Sequence, residues 1–419
     1  MQFNRITTAH IIRFLAFMYI MMVYLPLIHN YLRFGLGDVR YWGILVLLSI
    51  LFFSPKTYTN KLLIYVFLYW FFFYILSITL WVNVNDWNLR VAREEAFRFI
   101  VPLTLFTYFT SSCDLKGYKF VVKWTIIFIV ITTILTIYST SINPLYVRTL
   151  TSGSYSLSQL REMRSYGGGG YGFMSTLLCL LPILVYYIKT SNKKVIKFFT
   201  LGFLMLCYIA IFSAQLFANI IIATIIIIIS FLGSKNYKKS MIYTFVFISI
   251  SLMFPLEFFA DALSVVSKKL DPGTLVYSKI IDMVEYLQYG AKVESESGTA
   301  LRLSRYPLLA EAFLKKPLLG QFGDVNIKEF QEGGHLYWMN KLAVFGFINF
   351  LFFALIFYFF LKKILKSIPE DITFYFILSI VAGLGYGLLK QIMGIDFWTM
   401  FFLILPGVSY FKFPHLHKT

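Results

Sequence analysis

Arginine and one loop histidine are the side chains here best suited to chemistry. Arg302 and Arg305 stand three apart late in the chain, Arg161 and Arg164 stand three apart earlier, and Arg148 precedes them. A guanidinium presents a planar fork that grips phosphate oxygens two at a time and keeps its charge beside lipid. As a set, these arginines favour an anionic ligand. Ion pairing is the plainer reading of any single one, since Arg93 and Arg98 flank Glu94 and Glu95, and Arg161 adjoins Glu162. His335 is the one histidine in the long loops. Imidazole titrates near neutral pH and suits a general base, while a histidine at an interface is commonly structural. The run Ser165–Gly172, with four consecutive glycines, either brings backbone N–H groups against a phosphate ahead of a helix or serves as a flexible lead-in to it. No strand precedes it and no Lys-Ser/Thr follows, so it is not a nucleotide loop. No two acids share a motif in the manner of a glycosidase couple. Glu162, Glu257, Glu311 and Glu332 remain to be assembled in space. The cysteines Cys113, Cys179 and Cys207 match no metal-ligand spacing.

The elements that position these residues follow from composition. The 419 residues are 58% hydrophobic, 20% aromatic and only 14% charged, with a mean hydropathy of +0.72. A soluble domain carries about a quarter charged residues, which excludes an ordinary soluble enzyme. High hydrophobicity excludes disorder. The net charge of +18 would suggest nucleic acid in a polar chain. In a chain this apolar, basic cytoplasmic loops explain it, and no nucleic-acid partner is expected. The expected fold class is an all-α polytopic membrane protein.

Crossing roughly 30 Å of hydrocarbon takes about 17–25 apolar residues. Twelve runs qualify: 11–30, 36–54, 62–81, 95–112, 120–141, 171–188, 198–213, 216–233, 240–256, 336–361, 372–389 and 394–411. The first is not a signal peptide, because it runs into a second apolar segment without a small-residue cleavage site. Ser213-Ala214-Gln215 is expected to turn the chain between the seventh and eighth runs. Lysine in the short loops then sets orientation. With the N-terminus cytoplasmic, seventeen lysines fall inside, while the outer short loops hold only Lys390. Both termini are therefore expected in the cytoplasm, and nearly all of the positive excess lies on that side. Ten of the twelve arginines fall outside, against the trend.

The expected organisation is spans one to nine in 1–256 with an outer loop at 142–170, a large outer segment at 257–335, and spans ten to twelve plus a short tail in 336–419. The large outer segment lies between spans nine and ten. It has amphipathic stretches, with Phe259, Ala262, Val266 and Leu270 at helical spacing and Val276, Ile280, Val284 and Leu287 likewise. Asp271-Pro272-Gly273 marks the turn between them. Such helices are expected to lie on the membrane face as a lid or small domain.

From Arg302 to Gly346 the chain carries Arg302, Tyr306, the stretch Pro317-Leu-Leu-Gly320 followed by Gly323, then His335 eleven residues before Gly346. This resembles the O-antigen polymerase/O-antigen ligase superfamily of membrane glycosyltransferases, among them the Wzy-type O-antigen polymerases. The match covers about a tenth of the chain, and the twelve-span layout with a large late outer loop extends it. Polymerases of this kind also show an Arg, ten residues and a Gly in an earlier outer loop, which Arg161 and Gly172 match. There are two departures. Leu336 stands where the family often has Asn after the His. The turn Ser213-Ala214-Gln215 lacks the Ser-Arg pair many members, ligases especially, carry between spans seven and eight. Arg161 or Arg164 would have to replace it.

The resemblance implies a donor glycan on a polyprenyl (undecaprenyl) diphosphate, attacked by an acceptor sugar hydroxyl at a periplasmic active site of the bacterial inner membrane. A diphosphate leaves without protonation, so catalysis needs mainly cationic stabilisation. Arg302 and Arg161, with Arg164 or Arg305 assisting, are expected to hold it, and His335 to accept the hydroxyl proton. No metal or cofactor is required. The chemistry would serve lipopolysaccharide or other surface polysaccharide biosynthesis. Its partners would be lipid-linked oligosaccharide as donor and acceptor, the bilayer, and a chain-length regulator and flippase. A polymerase extends a second lipid-linked repeat; a ligase uses a lipid A-core sugar. The Arg161–Gly172 spacing and the missing Ser-Arg pair favour the polymerase. A non-enzymatic alternative is a lipid-linked oligosaccharide flippase, which should show two similar halves and short loops.

Overall fold

The computed structural model describes residues 2–31, 38–80, 86–152, 162–163, 165–234, 236–289, 299–321, 336–389 and 394–410. Among these there is no strand. The helices in chain order are α1 Gln2–Tyr24, α2 Pro26–Tyr31, α3 Val39–Phe53, α4 Lys61–Leu80, α5 Asp86–Ser111, α6 Leu115–Ile142 and α7 Tyr146–Ser152. Then come α8 Tyr171–Thr190, α9 Lys194–Ser213, α10 Phe217–Leu232, α11 Tyr237–Met253, α12 Leu256–Ser267, α13 Leu275–Tyr289 and α14 Thr299–Lys315. The last are α15 Tyr337–Leu365, α16 Glu370–Leu389, and α17 Ile395–Thr399, which runs through a π-helical turn at Met400–Ile404 into α18 Leu405–Tyr410.

Each apolar run of the sequence coincides with helix. Among the described residues, five helices, α6, α8, α9, α15 and α16, are long and apolar enough to cross a membrane. Their partners α1, α3, α4, α10 and α17–α18 contribute shorter apolar stretches. Phenylalanines such as Phe52, Phe198 and Phe245 stand exposed on the outside of the bundle, as an apolar solvent requires. Helix α8 is its axis. Every residue from Phe173 to Tyr186 is buried, the signature of a helix apolar all round and surrounded by others. It packs against α9, α10 and α16.

Besides the π-helical turn in the twelfth run, two runs are divided by a backbone break. The first divides at Leu25, because Pro26 opens α2 and the residue before a proline is driven out of the helical region. The tenth divides at Gly346, where the backbone takes φ 73 and ψ 174 inside α15. The turn at Ser213–Gln215 is present, with Gln215 at φ 52. The amphipathic stretches form α12 and α13, joined through Asp271-Pro272-Gly273, where Asp271 Oδ1 accepts the Gly273 N–H at 2.9 Å. The two pack as a hairpin through Ala260, Val276, Ile280 and Val284, against Phe217 and Ile220 of α10.

The end of α6, the α9–α10 turn and the α12–α13 hairpin lie together at one end of the bundle, called here the long-loop face, with Thr140 Oγ1 donating to Ser213 Oγ at 3.0 Å and the hairpin covering Phe217 and Ile220. The opposite end is fixed by a two-bond ion pair, Arg13 Nε to Asp114 Oδ2 at 2.9 Å and Arg13 Nη2 to Asp114 Oδ1 at 2.5 Å.

Candidate functional site

The late motif folds into one unit built on two glycines. Breaking α15 at Gly346 leaves amide donors at the start of its second half and carbonyls at the end of its first half without helical partners. The turn after α14 supplies them. Phe347 N–H donates to Pro317 O at 2.8 Å and Ile348 N–H to Leu318 O at 3.2 Å, while Gln321 N–H donates to Ala343 O at 3.0 Å. For this the turn must lie directly on the broken helix. Gly320 has φ +79, and a Cβ on it would overlap the Val344 carbonyl and the Gly346 amide. A Cβ on Gly346, at φ +73, would overlap Gly320 N and Leu318 O. Both positions thus need glycine twice over, for backbone conformation and for space. Gln321 adds a side-chain bond, Nε2 to Ala312 O at 2.5 Å, that ties the turn to α14.

This interlock holds α14 against the first half of α15. Leu309 meets Leu336 and Ala343, with Tyr306, Ala312, Phe313, Met339 and Val344 around them. The Tyr306 hydroxyl donates to Leu388 O at the end of α16, and Trp338 Nε1 to Leu384 O at 2.8 Å. Burial pushes the Tyr306 phenol above its ordinary range. Positions 302 and 305 stand one turn before Tyr306 and Leu309 on α14. His335 directly precedes Leu336, the buried N-cap residue of α15.

A second cluster lies where α1, α5, α8 and α17 converge at the same face. Tyr24 Oη donates to Asp396 O at 2.7 Å. The Asp396 side chain accepts the Phe397 N–H at 3.0 Å, lies directly against Gly172 and Gly394, and interacts electrostatically with Arg98. A side chain at 172 would meet that carboxylate, so Gly172 makes room for Asp396. Sequence reasoning passed over Asp396, although an ionisable residue at the start of an apolar helix is itself a functional signal.

A third feature joins α7 to the turn between α9 and α10. The turn between α9 and α10 has no arginine of its own, but Arg148 of α7 reaches it, Nη2 donating to Gln215 O at 3.0 Å. Ser213 of the same turn accepts from Thr140 Oγ1 at 3.0 Å. In the first turn of α10, Asn219 is fully buried with both ends of its amide unbonded. Helical side chains lean toward the helix N-terminus, so Asn219 leans toward this turn. The glycine run, by contrast, is packed into the bundle. Gly169 N–H donates to Thr136 Oγ1 at 2.8 Å and Gly168 O accepts from Tyr146 Oη at 3.0 Å. The Gly169 amide is therefore committed to the protein rather than to a phosphate.

Of the expected site residues, Tyr306, Gly320 and Gly346 are brought together as described. Arg302 and Arg305 are placed on α14 by their backbone. His335, Arg161, Arg164 and Gly323 lie outside the described residues. Among the other arginines, Arg40 is taken up locally by Asp38, Nη2 to Oδ2 at 2.6 Å, and Arg98 lies within electrostatic reach of Asp396.

No family model and no curated protein matches the chain.

Proposed function

We propose that the chain is a twelve-span inner-membrane glycosyltransferase of the O-antigen polymerase type, joining polyprenyl-diphosphate-linked repeat units on the periplasmic side. The long-loop face is the periplasmic one and both termini are cytoplasmic. One observation carries the reading: Gly320 and Gly346, two members of the motif far apart in sequence, lie in backbone contact. The spacing that suggested the family thus corresponds to a physical unit, which fixes the arginine-bearing α14 beside the helix that begins after His335.

The reaction is the one the family resemblance implies. The acceptor hydroxyl oxygen forms a bond to the donor's anomeric carbon as the bond from that carbon to the diphosphate oxygen breaks. The electron pair leaves with the polyprenyl diphosphate, and the hydroxyl proton passes to His335. Arg302 stabilises the charge developing on the diphosphate, helped by Arg161, Arg164 or Arg305. Arg148 joins this set as a guanidinium at the α9–α10 turn. His335→Ala and Arg302→Ala should abolish long-chain glycan at unchanged protein level. A normal chain-length ladder in either variant would sink the assignment.

The ligase reading gains from Arg148, because the missing turn arginine was one reason to prefer the polymerase. A deletion strain separates the two. A single repeat on lipid A-core means a lost polymerase, whereas accumulated lipid-linked polymer means a lost ligase.

A further inference from the structure

Lys341 is a charged side chain that is nonetheless buried, 4% exposed. It lies in the first half of α15, six positions after His335 and five before the break at Gly346. Its ammonium sits in a box of aromatic rings, 4.8 Å from the centroid of Phe353, 5.1 Å from Phe345, 5.3 Å from Tyr337 and 6.0 Å from Tyr69. The Tyr69 hydroxyl lies 3.4 Å from Nζ. These rings come from three rigid pieces. Tyr337 and Phe345 belong to the first half of α15, Phe353 to its second half, and Tyr69 to α4. The walls are held in turn, Tyr69 and Phe353 each lying against Phe99 of α5, with centroids 5.6 and 5.8 Å apart.

A broken helix surrounded by apolar side chains has a positioning problem. Hydrogen bonds tie the first half of α15 to the α14 turn (Gln321 N–H to Ala343 O) and to α16 (Trp338 Nε1 to Leu384 O). Its face toward α4 and the second half rests instead on apolar packing, which is non-directional and resists rotation or sliding weakly. A cation over ring faces is directional, and buried polar groups serve to fix register even where they add little stability. We propose that Lys341 is a positioning residue: its ammonium, seated in the box formed across the break and α4, pins the first half of α15 and so fixes where the adjoining His335 stands. Enclosure by rings argues against direct contact with substrate. The catalytic consequence rests on the proposed polymerase reading, whereas the pin itself does not.

The test uses full-length protein in detergent with Lys341→Met, which keeps the side-chain volume and loses the charge, and Lys341→Arg, which keeps the charge. Hydrogen exchange should accelerate at least about tenfold over 337–345 in Lys341→Met, with 350–365 unchanged. Polymerisation should lose roughly 10- to 100-fold in kcat with KM within about twofold, the cost of misplacing a reacting group, and Lys341→Arg should recover most of both effects. Unchanged exchange over 337–345 overturns the pin. A raised KM at unchanged kcat overturns positioning in favour of substrate contact. A wild-type protein that makes no polymer, with the exchange contrast intact, removes the polymerase reading and leaves the pin standing.

Discussion

Gly346→Ala probes the interlock that organises the site, and its cost can be worked from the geometry. The native conformation at 346 is confined in practice to glycine, so an alanine held there stores roughly 1–3 kcal/mol. Its Cβ would also drive into Gly320 N and Leu318 O, both backbone atoms, which cannot rotate away. Three hydrogen bonds cross this contact, and each contributes about 0.5–1.5 kcal/mol. The chain has one escape. If residue 346 turns helical, α15 runs straight and the Phe347 and Ile348 amides find partners within the helix. The turn then loses its seat, and Pro317 O, Leu318 O and Gln321 N are stranded. Strain is relieved and part of the bonding recovered, so the net cost should be roughly 2–4 kcal/mol, local rather than global. At about 1.4 kcal/mol per tenfold, exchange of the Gln321 amide should quicken by roughly 30- to 700-fold, while the Phe347 and Ile348 amides stay protected within the straightened helix. Hydrogen exchange with mass spectrometry on peptides spanning 316–322 and 343–350 reads this directly. Gly202→Ala and Gly385→Ala are the controls, since an added Cβ there meets nothing within 4 Å; both sit in helices and should be neutral or up to about 1 kcal/mol stabilising. Native exchange and native melting in Gly346→Ala would refute the reasoning.

Other consequences are simpler. Arg148→Ala removes a charged hydrogen bond to Gln215 O and should lower thermal stability by about 1–3 kcal/mol; it should also raise KM for the lipid-linked donor, with Arg148→Lys intermediate, and an unaltered KM would confine Arg148 to a structural role. Gly172→Ala pushes a methyl into the Asp396 carboxylate and should cost about 1–3 kcal/mol, measured as a lowered melting temperature that Gly170→Ala, with open space around it, does not share. The Tyr306 phenol sits above its ordinary value of 10.0 because burial penalises the phenolate. The stability from its protonated form is complete below that value and lost as pH rises through the higher folded one. Wild type should therefore destabilise at strongly alkaline pH more than Tyr306→Phe, in melts run across pH 9–12; parallel curves would show that burial does not disfavour the Tyr306 phenolate.

Much of the helical layout was legible because hydrophobic length is written locally. Each apolar run became helix, and the polar triplet Ser213-Ala214-Gln215 turned the chain as expected, with Gln215 accepting a left-handed conformation. What escaped were interruptions and long-range contacts. Gly346 inside an apolar run reads as a tolerated glycine, and only its docking against Gly320 shows that it breaks the helix. Arg148 carries no motif, and its partner Gln215 lies 67 residues away. Lys341 looks like a lone lysine in a span, because the rings that enclose it come partly from α4. Asp396 lacked local company for the same reason: Gly172, Tyr24 and Arg98 reach it from three other helices. Charge pairing was half legible. Asp38–Arg40 is near in sequence, while Arg13–Asp114 spans 101 residues.

The central claim is that the chain itself joins lipid-linked sugars. Purified protein should be incubated with polyprenyl-diphosphate-linked repeat units, with neither nucleotide sugar nor divalent metal added, and the products resolved by size. A ladder of lipid-linked polymer, with polyprenyl diphosphate released at each step and no ladder from His335→Ala, is the predicted result. Movement of the lipid-linked sugar across liposomes without any new glycosidic bond would contradict the account and favour a carrier.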